Sequence, residues 1–437
     1  MPWRREWVLD LRAWFERRTI SWPTLYSIIG SSAREKPFSS FPNIIALVRQ
    51  VLYRPSSNNQ DPQLPMRSIP QILAIFLLPS LCFAEPSSTI PSCRIEETIV
   101  SYRDTGTMDY LGFPAIAVSG NNEIMLSYKR GTDHGWDPGA VLEIVRFDLN
   151  SGRAIQSPIQ LGIPDRIMEM GEWVRFPDGT LSTYIDAQRT NDQRQAFRIG
   201  LRGAISRDNG KSFGPLERVG VIDGVEYGYL FDSAIVGQRL YALIMTFEYL
   251  AGGRRSVDAL YTDDNGKTWH FIRNLSQEFG DIRINESSLL PYKDGFLVTT
   301  RGYDLRARIH RVDREFRLIK EANLTEITST MDGYVGRPRL FTYGGSYFLM
   351  GRNFKPPYRK IPMELGLFRL DPEKLVVEQS FVLDNAEQGE VTDGYYTCPI
   401  IVDTGDRKLL NVFTYKGLFG NSPDILRLQF DSAAFLP

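Results

Sequence analysis

From Cys93 to the end of the chain, hydrophobic positions come in short runs broken by turn residues, and no long amphipathic helical pattern interrupts them. Six segments repeat one pattern: an apolar strand, a Gly-containing turn and a second apolar strand. They read GFPAIAVSGNNEIMLSYKRG from Gly112, GEWVRFPDGTLSTYIDA from Gly171 and YLFDSAIVGQRLYALIMTF from Tyr229. NESSLLPYKDGFLVTTRG follows from Asn285, GRPRLFTYGGSYFLMGRN from Gly336 and YYTCPIIVDTGDRKLLNVFTYKG from Tyr395. Successive starts lie about 50 to 60 residues apart, which is room for one four-stranded sheet each. The pattern predicts an all-β chain, a six-bladed β-propeller of four-stranded antiparallel sheets over residues 93–437. A β-sandwich carrying a chance repeat is the alternative.

A second repeat runs through the first. Ser206 to Phe213 reads SRDNGKSF and Thr262 to Trp269 reads TDDNGKTW, about 56 residues apart. Both fit [ST]-x-D-x-G-x-[ST]-[FW] after a short apolar run. Asp208 and Asp264 can accept from backbone amides inside the turn, and Gly210 and Gly266 can supply the positive φ it needs. Phe213 and Trp269 can fold back to pack under the loop. These phrases resemble the Asp-boxes, or BNR repeats, of the sialidase (neuraminidase) superfamily of β-propellers. In that family the box is structural and lies away from the active site, so the resemblance bears on fold and leaves chemistry open.

Composition narrows the field. Net charge is −1, so no global field recruits nucleic acid or an anionic membrane. Three His and three Cys, with no C-x-x-C or H-x-x-x-H spacing, argue against zinc or thiol chemistry, and no metal or organic cofactor is expected. Met66 to Ala84 reads MRSIPQILAIFLLPSLCFA, the anatomy of a secretory signal peptide. Residues 1–65 before it are either an over-extended start, with Met66 the true one, or a genuine extension that would turn the apolar run into a membrane anchor. The first reading makes the protein secreted or periplasmic. Cys93 and Cys398 then remain, one at each end of the predicted ring, either as a disulfide clasp or as two separate thiols.

The resemblance also implies a site. In a propeller the first strand of each blade lines the central channel, so distant residues meet at one mouth. A sialic acid carries a carboxylate on its anomeric carbon, which calls for clustered guanidinium groups and repels an anionic nucleophile. Sialidases accordingly use a Tyr nucleophile, an exception among glycosidases. A neighbouring Glu acts as its base and an Asp as the general acid/base. Glu286 and Arg301, opening and closing the fourth segment, resemble the family's base and second carboxylate-binding Arg. Tyr396, in Tyr396-Thr397-Cys398, resembles the nucleophile, with Tyr395 as the neighbouring alternative. Tyr128 to Phe147 resembles the first-blade stretch, in which Arg130 fits a clamp Arg and Asp137, with Asp133 second, fits the acid/base; His134 is either a loop hydrogen-bonder or a substrate contact. Arg337 is the third clamp residue, ahead of Arg339 and Arg352. The sequence departs from the family at Gly112, which stands where the first Arg is expected. Glu172 is an extra channel acid that either touches a sugar hydroxyl or pairs with an Arg. The expected protein is a monomeric, sialidase-like glycoside hydrolase acting on glycans. A hydrolase of another sugar and a non-catalytic carbohydrate-binding propeller are the alternatives.

Overall fold

The computed structural model describes residues 91–120, 122–193, 195–246, 256–354, 363–385 and 390–437. The stretches read from sequence as an upstream extension (1–65) and a signal peptide (66–84) lie outside the described residues. The fold is a six-bladed β-propeller of small antiparallel sheets.

Blade 1 comprises Tyr110–Gly120, Glu123–Gly131, Val141–Asp148 and the short Arg153–Ala154, with Ile159–Leu161 also on its third strand. Blade 2 comprises Ile167–Arg175, Leu181–Thr190, Ala196–Ser206 and Glu217–Arg218. Blade 3 runs through Val225–Val236, Arg239–Thr246, Ser256–Thr262 and His270–Asn274, with Val221–Ile222 added beside the first. Blade 4 holds Ile284–Tyr292, Gly295–Gly302, Ala307–Asp313 and Leu318–Asn323. Blade 5 holds Gly336–Tyr343, Ser346–Phe354, Met363–Asp371 and Val376–Asp384. In blade 6, Val391–Gly394 and Cys398–Asp403 both pair with Lys408–Leu418, which pairs with Asp424–Asp431. Each apolar segment of the sequence is thus the inner hairpin of a blade, and the first strands of successive blades neighbour one another around the axis.

The ring closes by backbone pairing. Cys93–Val100 adds antiparallel to Asp424–Asp431 as the outer strand of blade 6. No disulfide clasp is involved: Cys93 is exposed on that outer strand, and Cys398 is a buried free thiol on an inner one. The thiol of Cys398 points instead to the Pro114 carbonyl of blade 1, 3.4 Å away.

The two repeated phrases form matching turns. Ser212 N donates to Asp208 Oδ1 and Thr268 N to Asp264 Oδ1, each at 2.9 Å. These bonds, with those from the Ser212 and Thr268 hydroxyls, hold the two carboxyls down to about 2. The turns also join neighbouring blades. Gly266 lies against Phe176 of blade 2, and Trp269 packs edge-on to Tyr184 with ring centroids 6.0 Å apart. A Cβ on Gly266 would sit 2.4 Å from Phe176 Cζ, at a φ of +81° that favours glycine. Gly266→Ala should therefore lower stability by about 1–3 kcal/mol, from backbone strain and overpacking together. Urea unfolding of this variant beside the exposed Lys267→Ala, expected to be neutral, checks it.

Candidate active site

Three inner strands begin with the same local device. Phe113, Arg337 and Tyr395 follow Gly112, Gly336 and Gly394, and have φ of 56°, 46° and 65°. In blades 1 and 5 the residue sits in a register shift of the inner hairpin, between Gly112 and Ala115 and between Gly336 and Arg339. Positive φ at a bulky residue is strained, and it recurs where the chain must re-aim groups at a site. At Arg337 the bulge turns the backbone N–H onto Glu286 Oε2 at 2.9 Å.

The central group draws on blades 4, 5 and 6. The Tyr396 hydroxyl donates to Glu286 Oε1 across 110 residues of sequence. Its oxygen faces Arg301 Nη1 at 3.2 Å and Arg352 Nη2 at 3.3 Å. Arg301 Nη1 also donates to Glu286 Oε2 at 2.6 Å, and its guanidinium stacks over Tyr334, 3.9 Å from the ring centroid. Arg352 lies over the Tyr396 ring at 4.7 Å. Strand alternation separates the two tyrosines: Tyr395 sends its hydroxyl to Asp384, away from this group.

The electrostatics follow from burial and charge. Burial by itself would raise the Glu286 carboxyl, but the charges of Arg301 and Arg352 and the bonds from Tyr396 and Arg301 outweigh it. They bring it from 4.5 to about 2. Burial, then the Glu286 charge, push the Tyr396 phenol above its ordinary range against the pull of Arg352 and Arg301. The phenol is therefore protonated at rest. A carboxyl lowered by folding contributes stability that is complete above pH 4.5 and is lost as pH falls through about 2. The stability advantage of wild type over Glu286→Gln should shrink across that window, as followed by urea midpoints.

Other candidates lie elsewhere. Arg130 does not join the Tyr396 group: its guanidinium pairs with Glu143 at 2.9 Å and with the Thr105 carbonyl at 3.1 Å. The blade 1 cation on the channel side is Lys129, which pairs in register with Gly112 and is fully buried against Asp137 at 3.0 Å and Glu169 at 2.7 Å. Asp137 is 2% exposed, and burial raises it to about 6 against the charge of Lys129. Its partners are Lys129 and the Thr132 amide, so it is a loop anchor and does not reach Tyr396 through any contact. Asp133 is exposed and caps the Gly135 and Trp136 amides at 3.0 and 3.2 Å. These amides hold its carboxyl below the ordinary range although partial burial opposes them.

Arg337 contributes its backbone to Glu286, but its guanidinium turns down the channel to Glu172. Arg339 reaches the same Glu172 oxygen and also the carbonyls of Thr397 at 3.2 Å and Phe231 at 3.3 Å. Glu172 thus pairs with two arginines. Arg352, placed behind Arg337 in sequence, takes the position beside the phenol. It pairs with no carboxylate among the described residues, and its buried Nε, like Nη1 of Arg337, has no hydrogen-bond partner. Where the first family Arg is expected, a Cβ on Gly112 would lie 2.9 Å from Tyr110 Cε1, so the Tyr110 ring fills that space. No group of acidic, His or Cys side chains among the described residues could hold a metal ion.

Comparison with solved structures places this fold among sialidase propellers. A protein of unknown function from Dyadobacter fermentans aligns at TM-score 0.60 and 16% identity, over 78% of this chain and 98% of its own. The NanB sialidase of Streptococcus pneumoniae aligns at TM-score 0.54 and 10% identity, over 76% of this chain and 70% of its own. Trypanosoma rangeli sialidase, in complex with 2,3-difluorosialic acid as a covalent intermediate, aligns at TM-score 0.50 and 13% identity, over 80% of this chain and 58% of its own. The chain therefore has a sialidase-like fold. No family model matches it, and no curated protein sequence does either.

Proposed function

We propose that this protein is a retaining glycoside hydrolase that releases a terminal acidic sugar, sialic acid or a relative, from glycans. The observation that carries the reading is the Tyr396 phenol, which donates to Glu286 and is faced by Arg301 and Arg352. Tyr396 is the nucleophile and Glu286 its base. Arg301 and Arg352 form the anion clamp, and the buried Nε of Arg352 has no hydrogen-bond partner. Orphaned buried guanidinium N–H groups are costly, and an anionic ligand would satisfy them.

Substrate would also switch the base on. At rest the two arginines hold Glu286 near 2, too low to take a phenolic proton. A substrate carboxylate between them cancels their charge, so the basicity of Glu286 rises when the sugar arrives. Attack is then coupled to development of positive charge at the anomeric carbon, where the phenolate is needed. A signal peptide at residues 66–84 would deliver this activity outside the cytoplasm. The sialidase neighbours support a glycan as partner.

One feature favours an acidic sugar other than an unmodified terminal sialic acid: Tyr110 fills the place of the first family Arg. The full chain should be tested against fluorogenic sialosides and a panel of other acidic and neutral glycosides. Turnover of an acidic glycoside is expected. Glycan binding without turnover of any glycoside would mark a carbohydrate-binding propeller instead.

A further inference from the structure

The reading above leaves the leaving group without a proton donor, and neither aspartate of the first-blade loop suits the task. Asp137 has the required proton affinity but is buried on Lys129, while Asp133 is exposed but held ionised by loop amides. Between them in sequence, His134 is oriented by Tyr110 and Asp393. Its Nδ1 lies 2.7 Å from the Tyr110 hydroxyl and 2.9 Å from Asp393 Oδ2. Tyr110 Oη lies 2.7 Å from Asp393 Oδ2, and Tyr415 donates to Asp393 Oδ1 at 3.0 Å. With Tyr110 donating to Asp393, both neighbours of Nδ1 act as acceptors. The network thereby assigns Nδ1 as the protonated nitrogen and leaves Nε2 to exchange protons.

Phe113 touches both the imidazole and the Tyr396 ring. The imidazole is edge-on to Phe113 with centroids 5.1 Å apart, and Phe113 lies 5.6 Å from the Tyr396 ring. The His134 side chain is 56% exposed, while Asp393 behind it is 22% exposed. Lys129 fixes the loop by donating to the His134 carbonyl at 2.8 Å. None of the His134 contacts among the described residues uses Nε2.

The geometry points to His134 as the general acid/base of the proposed hydrolase, with Asp393 as the residue that positions it. The assignment rests on the Tyr396 reading above. In the first step Tyr396 Oη bonds to the anomeric carbon and Glu286 takes the phenolic proton. The glycosidic C–O bond breaks with its electron pair on the leaving oxygen, which takes the Nε2 proton of His134. In the second step neutral Nε2 removes a proton from water as its oxygen bonds to the anomeric carbon. The Tyr396 C–O bond breaks with its pair on the phenolic oxygen, and Glu286 returns the proton. The cationic clamp and the imidazole–carboxylate pair divide the two roles between them. The charged groups around the imidazole include Asp393, the Lys129 ammonium behind its carbonyl, the adjacent Asp133 and, acting on Asp393, Arg352; the Tyr110 and Tyr415 hydroxyls are the neighbouring titratable phenols.

The test uses full-length protein and two glycosides of the acidic sugar selected by the panel above, one with 4-nitrophenol and one with galactose as leaving group. A general acid matters for the poor leaving group and little for the good one. His134→Gln should lower kcat/KM about 10²–10⁴-fold on the substrate with galactose as leaving group and less than about tenfold on the nitrophenyl substrate. It should also lose one limb of the pH–rate profile. Asp393→Asn should shift that limb and lower kcat with KM little changed. Asp133→Asn should change both substrates alike, by no more than a few fold. A leaving-group split in Asp133→Asn or Asp137→Asn, with His134→Gln unaltered, overturns the assignment while the hydrolase reading stands. A wild type that turns over no acidic glycoside overturns the hydrolase reading, and the assignment falls with it.

Discussion

Tyr396→Phe should reduce turnover of every glycoside the wild type accepts by about 10³-fold or more, since loss of a covalent nucleophile removes a route through the barrier and not merely a contact. The substitution is mild in shape. The ring keeps its packing against Phe113 and beneath the Arg352 guanidinium. What it loses is one hydroxyl that donates to Glu286 and accepts from two arginines. The protein should stay folded, with a stability change of about 1–3 kcal/mol for the unpaired buried groups, and should still bind the acidic sugar through Arg301 and Arg352. Steady-state kinetics beside calorimetric binding separates the two effects. Wild-type activity surviving in both Tyr396→Phe and Glu286→Ala would remove the proposed site.

The second large effect is on stability. Glu172→Ala should cost about 3–5 kcal/mol, the range for breaking a buried ion pair from one side, and should lower Tm by roughly 5–10 °C. Glu172 Oε2 accepts from both Arg337 and Arg339, and all three side chains are at most 10% exposed. Without it the nearest remaining carboxylate to Arg339 is Asp232 Oδ1 at 3.8 Å. These residues come from blades 2, 3 and 5, so the loss acts where the blades meet. Glu172→Gln, which keeps one acceptor, should cost clearly less. Thermal unfolding of the three proteins decides it, and equal stability in all three would show that the channel charges are solvated and not paired.

Much of the ring was legible because inner hairpins carry a strong signal: they are buried on both faces and end in turn residues that need positive φ. The outer strands carry almost none. Glu217–Arg218 is two exposed residues, and Cys93–Val100 is mostly exposed along its length. Neither could be found from apolar patterning, so the sequence offered a thiol clasp for the closure of the ring and not the strand pairing that makes it. In the site, Glu286 and Arg301 were readable as the two ends of one hairpin, and an ion pair at 2.6 Å joins them across the irregular register at its end.

Arg130 illustrates the limit. A one-residue step along a strand reverses the face, and Lys129, not Arg130, is the channel-side residue opposite Gly112. Arg352 was available to the same reasoning, because it pairs with Gly336 as Lys129 pairs with Gly112. Cys398 failed as a clasp because the two thiols occupy opposite edges of one blade. The positive φ of Phe113, Arg337 and Tyr395 had only a faint mark in sequence, a Gly immediately before each.

The outer strand of blade 6 has a consequence for how the molecule is made. Cys93–Val100 must wait for Asp424–Asp431, at the other end of the described ring, before its amides find partners. Five blades can assemble in order during synthesis, but the circle is sealed only once Asp424–Asp431 is available to pair. The final commitment to the native state is then one zipper between the two most distant stretches of the ring.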